Sequence, residues 1–295
     1  MELFRGSGVA IATPYKRDSL EVDYEEFARL IEEQIAGGTD AIIVCGTTGE
    51  AATMSHEEHV EVCRFCVEKV AGRVPVIAGS GSNNTAASVQ MSEEMRRIGA
   101  DGVLIVAPYY NKGTQKGVYA HIRTIAEAVH LPVVIYNVPS RTGGNILPET
   151  IAALAKDVPE VVAVKEASGN ISQIVKLMQL TDGSIDVYSG NDDQVVPLMA
   201  MGAKGVISVV ANVAPRVMHD MCAKFFAGDV AGAAKLQCDI IPLYEKLFCE
   251  VNPIPVKKGL EFLGYRSTAL RLPLTEMESA HAEQLRKEME AFGLL

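Results

Sequence analysis

Lysine is seldom carried into a protein interior, yet Lys165 directly follows four apolar residues, Val161–Val164. Such a run reads as a strand buried on both faces. An amine at its end is desolvated, which favours the neutral form and lowers the pKa. A neutral amine attacks carbonyl carbon, so this position suits a Schiff-base nucleophile. The competing reading pairs the ammonium with a carboxylate, Glu166 being the nearest, or lets it reach solvent past the strand end. Tyr136 bears on that choice. It is the fifth residue of PVVIY, as Lys165 is the fifth of VVAVK, one strand–helix unit further on. The two should stand on adjacent strands at nearly the same height, and a phenol beside the amine can carry the proton transfers of imine formation. The alternative for Tyr136 is an interior aromatic with its hydroxyl bonded to nearby backbone. In GTTGE (46–50), two glycines flank the hydroxyls of Thr47 and Thr48 just ahead of a helix. Hydroxyls and backbone amides in such a turn can hold a carboxylate. Arg141 can bind a second carboxylate through paired hydrogen bonds, although an exposed arginine in a turn is the commoner case.

Other constellations point away from metal or redox catalysis. His56 and His59 in HEEH are three residues apart rather than the four of HExxH, and no catalytic metal site is expected from them. The six cysteines stand at 45, 63, 66, 222, 238 and 249. Cys63 and Cys66 form a CxxC, but inside the helical pattern VEVCRFCVEKV with no strand-to-helix turn ahead of it, which reads as core. Asp192 and Asp193 have no evident third partner for a cation. Net charge is −10, which disfavours nucleic acid or an anionic membrane surface as partner. The start, MELFRG, has no apolar signal region and no run reaches the length of a membrane span, so a cytoplasmic protein with reduced thiols is expected.

The elements that must position these residues follow from the pattern. Hydrophobic residues make up 48% of the 295 and charged ones 22%, enough apolar material for a large core. Eight continuous apolar runs recur at 8–13, 40–46, 75–79, 102–108, 132–137, 161–166, 186–190 and 205–211. They are spaced like strand–helix units and are uninterrupted, as buried parallel strands are. Amphipathic stretches separate them, Tyr24–Ala36 and His56–Val70 among them, with Ser55 and Glu58 set for a capping box on the second. The fold class predicted is α/β, a (β/α)8 TIM barrel over 1–214 with a C-terminal helical extension over 215–295. Helices are expected at 216–226, 230–250, 276–292 and after Pro253. An open doubly wound sheet is the lesser alternative, because no GxGxxG follows any strand. In a barrel the active site lies at the C-terminal strand ends, where Thr47, Tyr136, Arg141, Lys165 and Asp192 all fall. Acidic residues after the seventh strand would repel a phosphorylated substrate there.

Several segments resemble the dihydrodipicolinate synthase family: GTTGE, PYYN at 108–111, YNVPSRTG at 136–143, VVAVKEASG at 161–169, SGND at 189–192 and NPIPVK at 252–257. The likeness runs from about Phe4 to Leu295. GTTGE and YNVPSRTG separate this family from the sialic acid lyases and keto-sugar-acid aldolases of the same superfamily. The resemblance implies that Lys165 forms an imine with pyruvate. As an enamine this attacks L-aspartate-4-semialdehyde, giving 4-hydroxy-tetrahydrodipicolinate on the diaminopimelate route to lysine. Tyr136 and Thr47 would form a proton relay with Tyr110, the last reaching in from a neighbouring subunit. Thr48 would bind the pyruvate carboxylate and Arg141 that of the semialdehyde, while Gly190 and Ile207 would line the pocket through backbone carbonyls. No cofactor is implied, and the family's usual assembly is a homotetramer of two tight dimers. The positions resembling its regulatory lysine site are Ala52, Met54, His56, His59, Asn83, Ala87 and Tyr109. Feedback-sensitive members carry glutamate where Ala87 stands, so little inhibition by lysine is expected unless Glu57 or Glu58 supplies the charge. Two other functions fit the residues less well: a pyruvate-dependent aldolase acting on a sugar acid or hydroxy-oxoglutarate, and a non-catalytic barrel that senses a keto or amino acid.

Overall fold

Eight parallel strands close into a barrel in the computed structural model, which describes residues 2–295. They are β1 (Gly6–Ala10), β2 (Ala41–Val44), β3 (Val76–Gly79), β4 (Gly102–Val106), β5 (Val133–Asn137), β6 (Val161–Glu166), β7 (Asp186–Ser189) and β8 (Gly205–Ser208). Each pairs with its sequence neighbours, and β1 closes on β8 with Gly6 opposite Gly205 and Ile207 opposite Gly8. Side chains alternate across the wall. Ile43, Ile77, Leu104, Val134, Ala163 and Ile207 point into the lumen. Ile42, Val44, Ile105, Val133, Val164 and Val206 face the helices. Because both faces are covered, the strands are apolar throughout, which is why they read as uninterrupted runs. The lumen is plugged at one end by Phe4, which stacks on Tyr188 with ring centroids 4.2 Å apart and accepts its hydroxyl hydrogen at 2.6 Å.

β1 starts two residues earlier than the apolar run suggests and ends at Ala10 rather than Thr13. The seam with β8 sets those bounds: a side chain at Gly205 would lie 1.8 Å from the Gly6 carbonyl oxygen. A glycine-led strand gives no apolar signal where it begins. The helices follow the expected periodicity. In Tyr24–Ala36 the buried residues are Phe27, Leu30, Ile31 and Gln34, one stripe of a 3.6-residue repeat. Asp23 caps that helix by accepting from the amides of Glu25 and Glu26. The capping box at Ser55 forms only by half. Ser55 Oγ accepts from the Glu58 amide at 3.2 Å, but the Glu58 carboxylate turns to Arg271, with Oε1 2.6 Å from Nη2.

Helix Pro215–Phe226 packs against β1 and completes the outer layer of the barrel, so that layer runs past residue 214. Beyond it come Val230–Asp239, Ile241–Leu247, Ile254–Phe262 and Ser279–Ala291. The continuous helix expected over 230–250 is two, because Pro242 in the first turn of the second suits a new start. Ile241–Leu247 and Ile254–Phe262 rest on the turns that follow β7 and β8, at the C-terminal rim. Among the described residues no helix is long and apolar enough to cross a membrane.

Candidate active site

Parity decides what β6 offers the lumen. With Ala163 inward and Val164 outward, Lys165 points in and Glu166 out. Glu166 is 1% exposed and accepts from Asn137 Nδ2 at 3.0 Å and from the Ser168 amide at 2.8 Å. It is therefore committed to the wall behind the site, which removes the ion pair that competed with a nucleophilic Lys165. Tyr136 and Lys165 are direct register partners on β5 and β6, and Lys165 Nζ lies 4.5 Å from the centre of the phenol ring. Burial pushes the amine down to about 8. The carboxylate of Asp192 opposes that shift and the guanidinium of Arg141 adds to it. Burial also raises the Tyr136 phenol, with Arg141 and the hydroxyl of Thr47 pulling the other way. A partly neutral amine thus sits beside a protonated phenol, the pairing that carbinolamine chemistry requires.

Above them is a cavity of about 310 Å³ lined by Thr47, Thr48, Tyr136, Arg141, Lys165 and Gly190, among others. Thr47 and Thr48 are held there by an anchor at the end of their own motif. Glu50 takes a left-handed conformation, φ 56°, and its carboxylate forms a fully buried ion pair with Lys257 of the C-terminal extension. Lys257 also donates to the Ala269 carbonyl at 2.6 Å, and both it and Arg271 lie against the ring of buried Tyr15. Burial brings the Lys257 ammonium down to about 8, against the pull of Glu50. Motifs two hundred residues apart are in this way one structural unit.

Asn252, which the sequence marks only as the first residue of NPIPVK, also belongs to the site. Its Nδ2 donates to Thr48 Oγ1 at 2.9 Å, and its carbonyl accepts from Arg141 Nη2 at 3.2 Å. It thereby joins the two positions expected to hold carboxylates. Asp192 also differs from expectation. It is 1% exposed, and Oδ2 accepts from the amides of Val209 and Val210 at 3.0 and 3.2 Å. It braces the turn after β8 from behind, so its charge acts on Lys165 rather than on the cavity mouth, which Asn191 lines instead. The cation or phosphate-repelling role open to Asp192 does not fit that orientation. Gly190 lines the cavity, where a Cβ would come within 2.6 Å of the Ala167 Cβ. The Ile207 side chain is not part of the cavity lining. It lies in the packed lumen below, and Val209 forms the wall at that point. Tyr110 is 90% exposed at φ 66° and lies outside the cavity of its own chain.

A second cavity, also about 310 Å³, backs onto the first and shares Thr47, Tyr136 and Arg141 with it. Ala52, His56, His59, Tyr109 and Ala87 line it, and no carboxylate does. Asn83 is not in its lining and instead accepts from Asn111 Nδ2 at 3.0 Å through its carbonyl. Met54 packs beside Cys45, its sulfur 3.9 Å from Sγ. Glu57 accepts from the Ser55 hydroxyl at 3.0 Å and Glu58 is paired with Arg271, so neither supplies the charge missing at Ala87.

A closed barrel with a desolvated lysine and a phenol at the C-terminal rim defines an imine-forming enzyme of the class I aldolase type. Comparison with known proteins narrows the class. Residues 3–292 match the model of the dihydrodipicolinate synthetase family, and the chain belongs to that family. The 4-hydroxy-tetrahydrodipicolinate synthase of Lachnoclostridium phytofermentans is 53% identical over the full length of both chains. The crystal structure of dihydrodipicolinate synthase from Thermotoga maritima superposes with a TM-score of 0.97 at 43% identity, all of each chain being covered. That of the enzyme from Cyanidioschyzon merolae, solved with lysine bound, gives 0.97 at 40% identity, again over all of both chains.

Proposed function

We propose that the chain condenses pyruvate with L-aspartate-4-semialdehyde to 4-hydroxy-tetrahydrodipicolinate through an imine on Lys165. The observation that carries this reading is the register pairing of Tyr136 with Lys165 at the floor of a hydroxyl-lined cavity. Pyruvate is small enough to place its carboxylate on Thr48 and the GTTGE amides with its keto carbon toward Nζ. The neutral amine adds to that carbon, and the phenol of Tyr136 protonates the departing hydroxyl. Water leaves, and the iminium remains. Loss of a methyl proton gives the enamine, whose carbon attacks the aldehyde of the second substrate while Arg141 holds that substrate's carboxylate. The substrate's amino group then attacks the imine carbon, closing the ring and releasing Lys165. The iminium is the electron sink, so no step calls for a cofactor. The reaction is one of cytoplasmic amino-acid biosynthesis.

Proton exchange with solvent along Tyr136 and Thr47 needs a further group at the mouth. Tyr110, exposed and outside its own cavity, suits donation to a second copy, which makes a dimer the smallest complete enzyme and a tetramer of two such dimers the expected assembly. Ala87 offers no carboxylate to the ammonium groups of lysine, which supports weak feedback inhibition. Incubation with pyruvate and borohydride tests the core of the proposal by mass spectrometry. A reduced pyruvyl adduct is expected on Lys165; an adduct elsewhere, or none, would overturn the assignment. A coupled assay with the semialdehyde separates this activity from cleavage of a sugar acid or hydroxy-oxoglutarate by the same imine.

A further inference from the structure

The second cavity opens on two members of a cluster of three thiol and imidazole ligands that this chemistry does not use. Cys45 follows β2 in a left-handed conformation, φ 54°, one residue before Gly46. His59 and Cys63 are four residues apart on helix His56–Val70 and so share one of its faces. The ligand atoms of Cys45, His59 and Cys63 all lie within 4.8 Å of one another. Cys63 is fully buried and Cys45 is 3% exposed, while Cys45 and His59 line the cavity and give the cluster a route to solvent.

His59 is already oriented. Its Nε2 lies 2.7 Å from the Gly79 carbonyl oxygen, which only a protonated nitrogen can satisfy, so in the neutral ring that a metal would bind the lone pair is on Nδ1. An imidazole whose outer nitrogen donates to a backbone carbonyl is the arrangement that holds metal-bound histidine in place. The Met54 thioether, 3.9 Å from Cys45 Sγ, offers a weak fourth partner. No carboxylate belongs to the group. Thiolate and imidazole donors favour borderline and soft ions over magnesium or calcium. Charge decides among them. Two thiolates exactly balance a dication, and a neutral site is the form that burial tolerates. A tetrahedral zinc site has bonds of roughly 2.0–2.3 Å, so its ligands stand roughly 3.5–4 Å apart. The cluster needs to contract only slightly to match.

We infer that Cys45, His59 and Cys63 form a binding site for one thiophilic divalent cation of the zinc and cadmium type, reached through the second cavity. On binding, the two S–H bonds give way to metal–sulfur bonds and two protons pass to solvent. An ion held there would tie the root of the turn carrying Thr47 to the helix behind it.

Cadmium is the probe, because its bonds to thiolate absorb in the ultraviolet. The full chain is titrated under reducing, oxygen-free conditions, with exposed Cys238 and Cys249 changed to serine in every form compared. One equivalent per chain should bind with a thiolate charge-transfer band. Cys63→Ala and Cys45→Ala should weaken binding by roughly a hundredfold or more, the upper end of what even an outer-shell change costs. Cys66→Ala, which removes an equally buried thiol on the same helix outside the cluster, should bind as the parent does. X-ray absorption at the cadmium edge should show two sulfur neighbours and a nitrogen, a reading independent of whether the variants fold. Equal titration of the parent and Cys63→Ala overturns the inference. So does fewer than two sulfur neighbours.

Discussion

Burial of Lys165 should be visible in the pH dependence of imine formation. An amine at about 8 rather than 10.5 is neutral in about one molecule in eleven at pH 7, instead of about one in three thousand. Burial therefore multiplies the competent nucleophile roughly 300-fold at that pH. The neighbours allow the sign to be tested in both directions. Asp192 holds the amine up and Arg141 holds it down. Asp192→Asn should move the inflection below that of the parent, and Arg141→Ala should move it above. The assay is the initial rate of borohydride-trapped pyruvyl enzyme at sub-saturating pyruvate between pH 6 and pH 10. The rate should rise with pH and level off above about 8 in the parent. An inflection at 10 or higher, or shifts of the same sign in both variants, would refute the reasoning. Stability carries the same signature. Because the folded-state value lies below the unfolded one, the unfolded chain binds the extra proton between about 8 and 10.5, and stability rises with pH across that window. Below it the penalty is constant at about 3 kcal/mol, so Lys165→Met should be more stable than the parent in urea at pH 7.

Tyr136→Phe removes one hydroxyl and should lower kcat by about 10²–10⁴-fold with the circular dichroism spectrum unchanged; an unaltered kcat would leave the phenol a lining residue. Arg141→Ala should raise KM chiefly for the semialdehyde, as measured by steady-state kinetics with each substrate varied in turn. Asn252→Ala leaves buried Thr48 without its donor at a cost of about 1–3 kcal/mol, so kcat/KM should fall about tenfold or more, with pyruvate affected as well. L-lysine should inhibit the parent poorly, and Ala87→Glu should gain partial inhibition; strong inhibition of the parent at sub-millimolar lysine would contradict the reading of that cavity.

The Tyr136–Lys165 pairing was legible in the sequence because parallel strands one unit apart repeat their geometry, so equal positions in two apolar runs become register partners. Strand periodicity also fixes that Lys165 and Glu166 face opposite ways, although adjacency in sequence suggested an ion pair. What stayed hidden depends on contacts between distant segments. Asn252 meets Thr48 and Arg141 only after the extension folds back over the rim. The inward turn of Asp192 depends on amides of the next loop, which no local pattern announces. Helix Pro215–Phe226 looked like part of the extension because it is followed by more helices, and only its packing on β1 places it in the barrel layer. Cys63 and Cys66 of the CxxC are buried, as a helical core pattern requires, but no local pattern connects Cys63 to Cys45 and His59.

The buried pair of Glu50 with Lys257 makes the final setting of the turn at Thr47 and Thr48 wait on the end of the chain. Glu50 emerges early from synthesis and its partner lies near the far end of the chain. Until the last quarter of the chain docks, Glu50 lacks its cation and the turn that carries Thr47 and Thr48 keeps only nearer hydrogen bonds, such as that from Thr13 Oγ1 to the Gly49 carbonyl. The strands that pair Tyr136 with Lys165 can therefore form before the turn at Thr47 and Thr48 is fixed. Removal of the segment bearing Lys257 should therefore loosen the turn at Thr47 and Thr48 while every strand of the barrel wall, all of which precede it, is still present.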